Sequence, residues 1–245
     1  MLRNLIISAA GAGVAVCLVV GGLQLATTEP LILHAELFEN AEAPAAEAGH
    51  VHEQGEAATP HEHAETVDAG HHHDAEAWQP ADGVERTLYT LLADLLVGIA
   101  VSLMLLAAMV LRGEPIDARR GLIWGAAGFV AASLLPSLGL PPELPGTPAA
   151  ELLGRQIWWL GTAFASAAGL ALLAFGKGWP WRVGGLVLLV LPHVIGAPVP
   201  PSHEASYPAG LAGEFVVASI VVSAVLWSLS GLASGWLYGR LSRSG

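Results

Sequence analysis

Residues 87–111 read TLYTLLADLLVGIAVSLMLLAAMVL, a run of 25 residues whose one charged side chain is Asp94. Coiled as an α-helix at about 1.5 Å per residue, such a run exceeds the roughly 30 Å hydrocarbon core of a bilayer. Five further apolar runs lie at about 5–27, 121–139, 157–175, 183–199 and 212–238. The expected fold is all-α, a polytopic transmembrane helix bundle of six spans. Five spans is the alternative, because the 183–199 run is short and carries Pro192, His193 and Gly196-Ala197-Pro198. Those residues suit a span that unwinds near one end, or a re-entrant piece. Composition agrees with a lipid solvent: of 245 residues, 53% are hydrophobic and 13% charged, and mean hydropathy is +0.57. That is too apolar for a domain with a water-facing surface.

Charge divides the chain. Residues 29–85 hold fourteen Asp and Glu and no Lys or Arg, whereas the remainder holds seven acids against ten bases. The bases stand singly or in pairs at the ends of apolar runs, which excludes a nucleic-acid partner. Lys and Arg in short loops stay on the cytoplasmic side. Six spans with both termini inside place Arg3, Arg112, Arg119, Arg120, Lys177, Arg182, Arg240 and Arg243 there and leave Arg86 and Arg155 outside. The expected organisation is a first anchor over 1–28, an acidic histidine-rich extracytoplasmic segment over 29–85 that is largely disordered from about 40, and a five-span bundle over 86–245. The setting is the inner (plasma) membrane. The first run resembles a secretory signal, but its core is long and no clean A-x-A site follows, so it reads as an uncleaved anchor. A cleaved signal would make the acidic segment the amino terminus. Cys17 is the single cysteine, which excludes a disulfide framework or a cysteine zinc site within one chain.

Small residues recur at four-residue spacing as Gly231, Gly235 and Gly239, as Gly161, Ala165 and Gly169, and as Gly98 with Ser102. Such stripes let helix backbones approach closely in lipid, within one chain or across a dimer. Trp158-Trp159, Trp179 and Trp181 read as interface anchors.

Seven of the ten histidines are His50, His52, His61, His63, His71, His72 and His73, interleaved with Glu53, Glu56, Glu62, Glu65, Asp68 and Asp74. Ala, Glu, Gly, Pro and Thr around them cannot build a core. In extended chain, residues i and i+2 point the same way, so a His-x-His pair offers two imidazoles to one ion while a carboxylate supplies charge. Neutral imidazole is available near pH 7, since its reference pKa is about 6.5. This chemistry suits Zn, Cu, Ni or Co, at modest affinity, and points to capture or buffering. The bland reading is an acidic low-complexity segment with incidental histidines.

Ionisable groups within spans are costly and mark candidate sites. Asp94 and His193 lie at comparable depth in the outer halves of their spans, and a shared site is one expectation. Gln24, Glu29, His34, Glu36, His203, Glu204 and Glu214 fall near that depth or just outside it, and the inner face has no such set. The arrangement implies an outward-facing site for a cation. The bland alternatives are that Asp94 pairs with Arg86 two turns away, that His193 satisfies carbonyls freed by Pro192, and that the others are interfacial.

Several motifs together resemble the CbtA family of predicted cobalt transporter subunits. They are Glu29-Pro30-Leu31-Ile32-Leu33 with His34-Ala35-Glu36, Leu138-Gly139-Leu140-Pro141-Pro142-Glu143-Leu144-Pro145-Gly146, Arg155-Gln156-x-Trp158-Trp159, and Pro192-His193-x-Ile195-Gly196-Ala197-Pro198. The resemblance covers nearly the whole chain outside 40–85. It implies metal uptake tied to cobalamin synthesis and a small single-span CbtB-type partner with a histidine-bearing tail. It also implies five spans, where the charge count favours six, and a carboxylate near His34, where this chain has histidine. Cobalt as the ion comes from the resemblance alone, since imidazole and carboxylate bind Ni or Cu more tightly.

Two functions compete, a transport subunit and a membrane protein that buffers or senses metal without conducting it. An intramembrane enzyme is disfavoured: H-E-x-x-H, G-x-S-x-G and paired membrane-depth carboxylates are missing. No P-loop is present either, so ATP coupling would need another chain. No cofactor is expected, the metal ion being cargo.

Overall fold

In the computed structural model of the chain, the described residues are 1–47, 80–202 and 204–243, and all regular structure among them is helical. The order is α1 Leu2–Ala26, α2 Thr28–Glu47, α3 Val84–Arg112, α4 Ala118–Phe129, a π-helical turn Val130–Leu134, α5 Leu135–Ser137, α6 Leu152–Phe175, α7 Trp179–Ile195 and α8 Ala209–Arg243. Four of these, α1, α3, α6 and α8, are long and apolar enough to cross a membrane, and α7 is a shorter apolar helix of 17 residues.

The third apolar run forms one helical path from α4 to α5, widened by the π turn. Its cause is Pro136. Proline lacks an N–H and its ring clashes with the carbonyl four residues back. The Leu135 N–H instead reaches the Val130 carbonyl, five residues back, and opens the coil ahead of the ring. The 183–199 run ends its helix at Ile195, where Gly196 turns with φ 89° into the nonhelical Ala197-Pro198.

Four helices make the core. α8 packs along α4 and α1 and, less extensively, α3, while α1 packs along α3. At the α4–α8 crossing backbones touch. A Cβ added to Gly121 would sit 2.0 Å from the Gly231 carbonyl oxygen, and one on Gly235 would sit 2.5 Å from that of Asp117. Gly98 meets Val16 and Gly13 of α1, Ser102 donates to the Ser230 carbonyl at 3.4 Å, and Gly169 meets the Gly185 carbonyl of α7. These glycines are engaged within the chain, whereas Gly161 faces open space.

The helices alternate in direction. Leu5 and Ala9 cluster with Met109 and Tyr238, Val16 and Val20 with Val222, and Ala35 of α2 with Leu144, Tyr207 and Leu211. Both chain ends therefore lie at one end of the bundle. Arg112 lies over the Phe175 ring at 4.7 Å, which brings the α6–α7 turn to that same end. The opposite end holds α2, the 138–151 segment and the 196–208 segment. α6 and α7 form a hairpin that joins the core through α6, chiefly at the π turn.

The sequence reading is corrected at α2. The acidic segment does not begin as loop at residue 29 but as a helix, Thr28–Glu47. Pro30 sits in the first turn, where its missing N–H is not needed. Leu31, Ile32, Ala35 and Phe38 pack on Leu144, Ala205, Tyr207 and Phe215. Ala, Glu and Leu favour helix strongly, and the packed apolar residues of α2 fall on one face. The histidines at 50, 52, 61, 63, 71, 72 and 73, and His203, lie outside the described residues.

Candidate functional site

At the α2 end of the bundle a cavity of about 400 Å³ opens between α1, α2, α3 and α8. Gln24, Thr28, Glu29 and Ile32 line it from α1 and α2, Arg86 and Thr90 from α3, and Ser219 and Ser223 with Phe215 and Val222 from α8. Thr28 and Ile32 are four residues apart, as are Arg86 and Thr90 and also Ser219 and Ser223, so each pair shares one helix face. The serines and threonines place hydroxyls in an otherwise apolar bundle.

Asp94 stands one side chain behind this wall. Gln24 Nε2 donates to Asp94 Oδ1 at 3.3 Å. Asp94 is 6% exposed, and its Oδ2 is buried beside Gly21 with no hydrogen-bond partner among the described residues. A buried carboxylate with an unsatisfied oxygen is costly and calls for a cation or a proton. The expected Asp94–Arg86 pair does not form. Arg86 reaches α2 instead, with Nη2 to Glu36 Oε1 at 2.6 Å and Nη1 to Glu36 Oε2 at 3.1 Å, and it also bonds Asp82 at 3.2 Å. Depth along a helix is read from sequence, but the direction a side chain takes around the helix depends on its neighbours.

His193 is elsewhere. It lies in the α6–α7 hairpin, its ring edge-on to Trp158 with centroids 5.9 Å apart. The surrounding pocket of about 390 Å³ is walled by Leu138, Gly139, Ala197, Pro198, Val199 and Pro200. Both His193 Nε2 and Trp158 Nε1 are buried there without a hydrogen-bond partner among the described residues. Because α7 packs on α6 and not on α3, Asp94 and His193 do not share a site, which corrects that expectation. Three motifs distant in sequence meet in this second pocket, and Arg155 pairs with Glu143 at 2.7 Å beside it.

The remaining candidates divide. Glu29 lines the cavity and Glu36 borders it through Arg86. His34 is exposed and stacks obliquely on Phe38 at 5.4 Å. Glu204, whose N–H donates to Ser202 Oγ, and Glu214 are both exposed and line none of these cavities. Among the described residues no three His, Cys, Asp or Glu side chains are grouped to hold a metal. Sequence reasoning missed Thr90, Ser219 and Ser223, although serines four apart on an apolar helix were a readable signal.

Alternating helices, four of them long and apolar enough to cross a membrane, with a cavity at one end and a carboxylate buried behind it, are those of a helical membrane protein. The chain belongs to the CbtA family, described as probable cobalt transporter subunit, whose family model matches residues 2–239. No curated protein and no solved structure matches it.

Proposed function

We propose that the chain is the membrane subunit of a cobalt uptake system in which the histidines between His50 and His73 gather the ion and pass it to the cavity beside Asp94. The observation that carries this reading is the cavity itself. It opens at the end where α2 leads towards the histidine-rich segment, and it offers Glu29 and Gln24 with a buried carboxylate behind them. The proposed topology is six spans with both termini cytoplasmic, because eight of the ten bases gather at the terminal end of the bundle. Inward movement of a cation is favoured by the membrane potential, by about 2.3 kcal/mol per charge per 100 mV. A small single-span subunit of CbtB type is the proposed partner. Nickel, zinc and copper are the competing ions, by ligand chemistry.

A second reading, a membrane protein that buffers or senses metal without conducting it, is favoured by one observation: the described residues hold no ready-made metal cluster. Cellular cobalt and nickel accumulation, measured with and without the partner, decides between the two. Transport requires that Asp94→Ala abolish accumulation while deletion of residues 50–73 only raises the metal concentration needed. Accumulation no greater than in empty cells would leave the buffering role.

A further inference from the structure

Among the described residues, the one fixed positive charge lining the cavity is Arg86, an awkward group to meet in a passage for cations. Its guanidinium is held in a bidentate fork by Glu36 at 2.6 and 3.1 Å and by Asp82 at 3.2 Å. Glu36 lies two turns along α2 from Glu29, on the same helix face. Glu29 lines the cavity, and Glu36 and Asp82 border it through Arg86, three carboxylates against one guanidinium that are not grouped as a ready-made metal site. Their formal sum of −2 matches a divalent cation. Behind them, across Gln24, lies the unpartnered Oδ2 of the buried Asp94.

We propose that Arg86 is the resident counter-cation of this cavity, seated on the Glu36 carboxylate that an arriving divalent ion must take. The inference rests on the cavity being the ion's route. Filling it then requires Arg86 to leave Glu36 and remain on Asp82, which is 83% exposed and accepts from Nη1, the nitrogen that also donates to Glu36 Oε2. Since Glu36 is on α2 and Arg86 on α3, the same exchange unfastens α2 from α3 and couples arrival of the ion to movement of the helix that roofs the cavity. A planar fork suits this task, because it satisfies a carboxylate fully yet repels a second cation. Arg86 is thus a positioning and selectivity residue rather than a ligand.

The test is equilibrium binding of cobalt to the purified full-length chain in lipid, with the seven histidines between His50 and His73 replaced by glutamine so that only the cavity is read. Arg86→Gln should bind cobalt about tenfold more tightly, because a charge-assisted bidentate competitor is gone. Added free guanidinium ion should reverse that gain, and Arg86→Lys should stay close to the parent. A purely structural tether predicts no gain and no effect of guanidinium, and that result overturns the proposal. If Arg86→Gln does not fold, Glu36→Gln decides, since unchanged cobalt affinity in that variant is equally fatal. Should the parent bind no cobalt once the histidines are replaced, the cavity reading falls and the proposal with it. If the parent binds and only the Arg86 arm fails, the cavity reading survives.

Discussion

Asp94 on α3 and His193 on α7 stand at separate pockets, and their substitutions should separate cleanly. Asp94 acts behind Gln24, so Asp94→Asn keeps that hydrogen bond and removes a buried charge with an unpartnered oxygen. Thermal stability should hold or rise, while cobalt uptake falls about ten- to hundredfold, the usual effect of losing a group that supports a metal site from behind. A residue kept for structure would show the reverse. His193→Ala should leave uptake within about twofold and cost roughly 0.5–1.5 kcal/mol of stability, the worth of an aromatic contact such as that with Trp158. Of these details, Asp94 itself was legible as the lone charge in residues 87–111. Its Gln24 partner, 70 residues earlier, and the Arg86–Glu36 pair were not, because they depend on how α1 and α2 rotate against α3.

The helices carry their own tests. Gly121 meets α8 backbone to backbone, with no flexible side chain to give way. Gly121→Leu should cost about 3 kcal/mol or more, beyond ordinary overpacking, and should lower the midpoint of unfolding in a denaturing-detergent titration. Gly161→Leu faces open space and should shift it by less than about 0.5 kcal/mol. Hydropathy located the apolar runs because lipid demands about 20 apolar residues per span. It could not separate Gly121 from Gly161, since both stand in small-residue surroundings and only packing tells them apart. The helix α2 escaped for another reason. Its apolar stripe, Leu31, Ile32, Ala35 and Phe38, is short and buries itself on residues from 144 and beyond 204.

For the molecule as a whole, the proposed topology predicts that a fluorescent protein fused after Gly245 lights up in the cytoplasm, whereas a periplasmic reporter there stays dark; the opposite pair of results would invert the bundle. Capture should also depend on pH in one direction. Protonated imidazole cannot ligate, so the cobalt concentration for half-maximal uptake should rise as pH falls below about 6.5. A chain lacking residues 50–73 should lose that rise. The core has one further implication, for how the protein is made. α8 emerges after α1, α3 and α4, yet it lies against all three. The nascent chain must therefore hold α4 in the membrane with its Gly121 and Gly125 face uncovered until α8 follows it. A chain stopped before Ala209 would present that face to the proteases that survey unassembled membrane proteins, and should be cleared rather than accumulate.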